Sequence, residues 1–132
     1  MFVGPVEEAI PIHQQAIRRS PHDPYIGNWY YRIGQAHLLQ SRIEEAIAWL
    51  EKARDANPAL HFFHGSLAAA YALKGETERA TAELEEARRL SARDFYSSLV
   101  NARHFYSVTP NIRPLYEATY ITGLRKAGVP EE

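Results

Sequence analysis

Residues 33–58, IGQAHLLQSRIEEAIAWLEKARDANP, decide the fold. Within them Ile33, Gly34, His37, Ser41, Ala46, Leu50, Ala53 and Pro58 form a spaced series of large, small and turn-forming residues. Thirty-four residues further along, the series reads Leu67, Ala68, Tyr71, Gly75, Ala80, Leu84, Ala87 and Ala92. Large falls on large, small on small, and turn former on turn former. Moving back thirty-seven residues from Ser41 recovers Gly4, Ala9, His13, Ala16 and Pro21, with a three-residue insertion assigned to Pro21–Pro24. The small residues have a geometric reason. Antiparallel helices approach to about 8–10 Å only where the side chains at their crossing are small. Gly34 and Ala68 mark that crossing on the first helix of each unit, Ala46 and Ala80 mark it on the second, and Leu50 and Leu84 fill the space beside them.

A period of thirty-four built from helical hairpins resembles the tetratricopeptide-repeat (TPR) family, over residues 4 to 105. The resemblance rests on Ile33-Gly34 and Leu67-Ala68, on Tyr71, Gly75 and Pro58, and on the alanines at 46, 53, 80 and 87. His37 stands where the family carries Tyr, and Ala92 where it carries the closing Pro. The implied fold is all-α, a TPR-type superhelix of αα-hairpins with about seven helices. Each hairpin leaves an apolar face that only a neighbour covers.

Helices are predicted over residues 5–19, 25–40, 42–56, 59–74, 76–91 and 93–107, with a last one over 112–126. Pro11 falls inside the first and removes one backbone hydrogen bond. Residues 20–24, Ser-Pro-His-Asp-Pro, form a break. Asn57-Pro58 ends the third helix, because the residue before proline avoids the α region. Gly75 suits the left-handed position after the fourth. Glu85 and Arg89 make an i,i+4 pair on the fifth. After Pro110 the repeat is lost. Asn111 is placed to cap the last helix, whose apolar stripe is Leu115, Ala118, Ile121 and Leu124 or Arg125, and Lys126 to Pro130 reads as its stop.

The organisation expected is a repeat region over 1–109: a half repeat at 4–23, full repeats at 27–60 and 61–94, and a degenerate helix at 95–108. A capping helix and tail follow at 110–132, and the last helix either caps the stack or folds back into the groove. The first helix corresponds to the second helix of a repeat. Ala9, Ile10, Ala16 and Ile17 would face a missing partner or the next helix, so either the first helix caps the stack from its N-terminal end or the chain is a C-terminal piece of a longer protein, the reading favoured here, open to homodimerisation through the uncapped N-terminal helix.

A second resemblance concerns Tyr120-Ile121-Thr122-Gly123-Leu124-Arg125-Lys126-Ala127-Gly128-Val129-Pro130, with the repeat-typical stretch Glu44 to Ala53. Together they are similar to the C-terminal TPR region of bacterial class III adenylate/guanylate cyclases. That implies a regulatory or assembly segment of a signalling enzyme in a bacterial cytoplasm.

The remaining composition narrows the chemistry. With no cysteine, disulfides, thiolate zinc sites and cysteine nucleophiles are excluded. Fifteen basic residues against sixteen acidic ones leave a net charge of −1, without the basic footprint of a nucleic-acid binder. No apolar run approaches the ~18 residues of a membrane span. Of the histidines 13, 22, 37, 61, 64 and 104, only His61 and His64 sit at i,i+3, and two imidazoles do not close a metal site. His37 reads as a core substitute for Tyr. Ser97, Ser98 and Ser107 lie near His104 by helical spacing alone, and no phosphate loop or nucleophile elbow is present. Glu44-Glu45 and Glu85-Glu86 read as solvated faces. No catalytic residue, metal or cofactor is expected.

Of the adjacent aromatics Trp29, Tyr30 and Tyr31, no single seam buries all three, since successive residues point about 100° apart. Tyr30 takes the core position, Tyr31 the concave one, and Trp29 a junction or a partly exposed place. TPR domains bind protein partners along the concave surface lined by the first helix of each repeat. The resemblance therefore assigns partner binding to Asn28, Tyr31, Gln35 and Leu38, to Phe62, Gly65, Ala69 and Ala72, and, if the sixth helix continues the stack, to Tyr96, Leu99 and Arg103. That surface is aromatic and rich in small residues. Its only nearby cations are Arg32 and Arg103, so the clamp that holds a chaperone's terminal carboxylate is not implied. An amphipathic helix or apolar peptide is the expected ligand.

Overall fold

The computed structural model describes residues 4–19, 25–91, 95–105 and 113–131. Among them are seven helices and no strand. Helix α1 is Gly4–Arg19, α2 Ile26–Leu39, α3 Ile43–Ala56, α4 His61–Lys74 and α5 Thr77–Leu90. A 3₁₀ turn at Phe95–Ser97 leads into α6, Leu99–Phe105. The last helix, α7, starts as Arg113–Tyr116, passes through a π turn at Glu117–Ile121 and continues as Thr122–Ala127. The expectations for residues 20–24, Ser107 and Asn111, and for the side chains of Ala9, His13, Ala16 and His104, lie outside the described residues.

The hairpins close where the small residues fall. α2 pairs with α3, α4 with α5, and α3 leans on α4, while α1 packs on α2. A methyl group added at Gly34 would lie 2.7 Å from Leu50 Cγ, so α2 and α3 meet at van der Waals distance there. Ala46, Leu50 and Ala53 on α3 and Ala80, Leu84 and Ala87 on α5 are all buried. Each buried Leu contributes about 1.5–3 kcal/mol through its loss of contact with water. The outer faces of α3 and α5, including Glu44, Glu45 and Glu85, are exposed. On α1, Ile12 is 63% exposed.

Turn chemistry repeats with the period. Gly75 follows α4 at φ 94°, and Glu76 N–H donates back to the Tyr71 carbonyl. At the same place after α2 the chain has Ser41 at φ 61°, and Arg42 N–H donates to the His37 carbonyl. A side chain in that left-handed well is strained where glycine is not. Gly128 ends α7 at φ 121°, with Val129 N–H donating to the Leu124 carbonyl, as the stop signal implies.

Three local expectations are corrected. The sixth helix is broken: Ser98 starts α6 by accepting the Asn101 N–H at its Oγ, 3.3 Å away, the bond of a serine N-cap. The stretch before it turns tightly to send Tyr96 inward. In α7 the buried stripe is Thr119, Tyr120, Ile121, Gly123 and Leu124, and Ala118 is exposed. The π turn admits one extra residue and rotates the later side chains away from a regular helical stripe. Arg89 pairs with Glu86 rather than Glu85.

α4 is surrounded. Every residue from Phe63 to Tyr71 is buried, because α3 and α5 cover two sides and α7 lies along a third. A helix that is apolar or small on all faces is an interior helix.

Candidate functional site

Leu38 on α2 and Ala69 on α4 belong to the floor on which α7 lies. α7 packs along α4 and reaches α2 and α5. At its crossing with α4, Gly123 meets Ala69 so closely that an added methyl would stand 2.5 Å from the Ala69 carbonyl oxygen. One turn back along α4, the Tyr96 ring occupies the space beside Gly65 where a side chain would otherwise be. The two small residues on this face of α4 therefore receive, respectively, a helix backbone and a tyrosine. Ile121, Leu124 and Val129 complete the seal, each at most 1% exposed.

The positions assigned from the sequence divide accordingly. Gln35, Leu38, Gly65, Ala69, Tyr96 and Leu99 are buried, while Asn28, Tyr31, Phe62, Ala72 and Arg103 are half-buried. Leu38, Ala69, Tyr96 and Leu99 share one core with Tyr120, Ile121 and Leu124, and Tyr31 and Ala72 pack on its edge. Tyr31 stacks obliquely on Phe63, with ring centroids 5.1 Å apart, and on Phe62 at 6.3 Å. Arg103 donates two hydrogen bonds to Glu117, Nε to Oε2 at 2.8 Å and Nη2 to Oε1 at 3.1 Å, and a longer one to Glu131. It thereby ties α6 to the start of the π turn. Of the two places left open for the last helix it takes the groove, through Tyr116, Tyr120, Gly123 and Leu124, none of which was assigned to this surface from the sequence. A signal was present: Gly65 and Ala69 are small on a face of α4 that adjoins the α5 crossing at Ala68, and Gly123 is the small residue that matches them.

The floor is rich in phenols and other polar groups. Burial pushes the Tyr31 and Tyr96 hydroxyls well above the usual phenol range, with Tyr120 adding to both shifts, and it also raises the Tyr116 hydroxyl. The Tyr116 hydroxyl approaches Gln35 closely enough to offset part of that rise, yet neither Nε2 nor Oε1 of Gln35 completes a hydrogen bond of good geometry. Ser66, beside Tyr31, is likewise fully buried, and its hydroxyl approaches the Tyr31 phenol without completing a hydrogen bond of good geometry.

The two histidines at i,i+3 point to different partners. His61 Nδ1 lies 3.0 Å from the Tyr96 hydroxyl, and burial lowers its basicity. His64 is enclosed between Glu83 Oε1 and the Pro58 carbonyl, each 2.7 Å from a ring nitrogen. Glu83 in turn accepts from Arg54 Nη1 at 2.8 Å, so the trio clasps α3, α4 and α5 together. His37 sits in the core at the place of Tyr71, and burial, then Arg42, lowers its basicity. No group of three or more potential metal ligands exists among the described residues. No described helix is long and apolar enough to cross a membrane.

On the opposite side of α2 the other aromatics find cations. Arg32 lies over Trp29 at 5.6 Å, and Lys52 over Trp49 at 4.6 Å, with Tyr30 alongside Trp49.

With this geometry in place, comparison agrees with it: a tetratricopeptide-repeat family model matches residues 2–59. The fold is a TPR-type helical repeat. The match spans α1, α2 and α3, and the geometry of α4 and α5 repeats it beyond residue 59. No curated protein and no solved structure matches the chain. A TPR-type repeat is, as a class, a protein–protein interaction module.

Proposed function

We propose that this TPR module binds an α-helix on its concave face, and that its own last helix takes that place in the isolated chain. The observation that carries the reading is the seating of α7 along α4, with backbone against backbone at Gly123 and Ala69. A surface that accepts one helix at that distance has the shape and the small residues to accept another. Tyr120, Ile121, Leu124 and Val129 are almost fully buried. At about 1.5–3 kcal/mol for each large side chain, α7 is held by roughly 6–12 kcal/mol of apolar burial, so a partner must offer comparable apolar contact to replace it. Half-buried Tyr31 and Phe62 keep an aromatic edge of the surface within a partner's reach.

Residues 120–130 carry the similarity to cyclase-linked repeats, and most of them fill or close the groove. Their pattern of aromatic, glycine and leucine follows from packing on α4 and does not itself call for a cyclase setting.

Partner capture with the double variant Tyr31→Ala, Phe62→Ala tests the reading. Capture is expected to be lost while the helical circular dichroism is retained. Undiminished capture rejects the concave face as the binding surface.

A further inference from the structure

α7 is an imperfect occupant of its groove in two independent respects. Gln35, on the concave face of α2, is only 7% exposed, and although the Tyr116 hydroxyl approaches it, neither its amide nitrogen nor its amide oxygen completes a hydrogen bond of good geometry. Buried carboxamides are ordinarily paired, and a specific unpaired one asks for an explanation. The residue that α7 places beside it is Tyr116, whose single hydroxyl cannot serve a donor and an acceptor that lie side by side as a second carboxamide does. Immediately after Tyr116 the helix leaves α geometry for the π turn Glu117–Ile121, a rare form stabilised here by Thr122 Oγ1 donating to the Glu117 carbonyl. Beyond that turn the fit is close, down to the Gly123–Ala69 contact. At Glu117 the bidentate bond from Arg103 is also well formed.

On the strength of the groove reading above, we propose that the cognate ligand is a helix carrying a carboxamide (Asn or Gln) where α7 places Tyr116, an acid where it places Glu117, and a glycine where it places Gly123, so that it outcompetes α7 by satisfying Gln35. Each part has its own reason. The carboxamide pairs head to tail with Gln35 and supplies both missing bonds. The acid takes the Arg103 fork. The glycine is required because the Ala69 carbonyl belongs to the most enclosed helix in the molecule and cannot retreat.

Synthetic peptides of residues 113–131 test this against the full-length chain carrying Gly123→Leu, whose bulk at the Ala69 carbonyl expels α7 from the groove. The Tyr116→Gln peptide is expected to bind roughly tenfold more tightly than the native-sequence peptide, the worth of satisfying a buried amide. Adding Gln35→Leu to the chain is expected to erase that difference. A peptide carrying Gly123→Leu is expected not to bind. Equal binding of the native and Tyr116→Gln peptides overturns the carboxamide proposal and leaves the groove reading standing. Binding of neither peptide to a chain of undiminished helicity overturns the groove reading itself. Should the Gly123→Leu chain lose its helical signal, hydrogen exchange of the α7 amides in the wild-type chain decides instead. Faster exchange with the Tyr116→Gln peptide than with the native one, at equal concentration, upholds the proposal, and equal exchange overturns it.

Discussion

Replacing Gly123 by alanine isolates the contact on which the seating of α7 depends. Built on the observed backbone, the new methyl stands 2.5 Å from the Ala69 carbonyl oxygen, 2.7 Å from Ala69 Cβ and 2.8 Å from the carbonyl carbon. Carbon and oxygen rest at about 3.3–3.6 Å even in close backbone contacts, so the helices must separate by roughly 1 Å. α4 is wedged among its neighbours, and α7 is the element that moves. That movement loosens Tyr120, Ile121 and Leu124, all buried against the same core. Overpacking of this kind costs about 1–3 kcal/mol. Against it stands the gain from removing glycine from a helix interior, about 0.5–1 kcal/mol. The net expectation is a loss of about 1–2 kcal/mol. In urea, with a slope of about 2 kcal/mol/M, the midpoint falls by roughly 0.5–1 M at unchanged slope. The exposed Ala82→Gly change in α5 calibrates the propensity term under the same conditions. A midpoint for Gly123→Ala that stays level or rises would show that propensity acts alone and that α7 does not rest on Ala69.

Two further outcomes are expected. Ser41→Gly should stabilise the protein by about 1 kcal/mol, because the φ of 61° costs a side chain what Gly75 avoids in the same place. Thermal denaturation should read this as a rise of roughly 4 °C, and an unchanged or lower midpoint would mean that the serine side chain supports the turn. Stability should also fall at alkaline pH. Burial, and then the hydrogen bond to Glu51, push the Tyr71 phenol from 10.0 up to about 12. The folded state thus holds that proton more tightly than the unfolded one, so its contribution is complete below pH 10 and is lost as pH climbs towards 12. Denaturation midpoints across that range should decline less steeply for Tyr71→Phe, and parallel curves would exclude the role.

The sequence by itself determined the helical hairpins. Residues thirty-four apart must be small where two helices of one hairpin cross and large beside that crossing, and these demands are local enough to be read as a period. Gly34 against Leu50, Ala80 and Leu84 inside the second hairpin, and the glycine after α4 follow from it directly, while the glycine after α7 follows from a local stop signal. The arrangement of α7 followed from no period. A single helix laid across several others makes each of its contacts once, so nothing recurs for a repeat to reveal, and one π turn is enough to move its buried stripe from Ala118 to Thr119 and Tyr120. The partners of the histidines are of the same kind: His64 meets Glu83 across nineteen residues and His61 meets Tyr96 across thirty-five, distances at which only the packed chain selects the pair. The tertiary structure therefore decided what lies on the concave face, because that choice depends on which distant surface fits two small residues of α4, and fit is a property of the assembled helices.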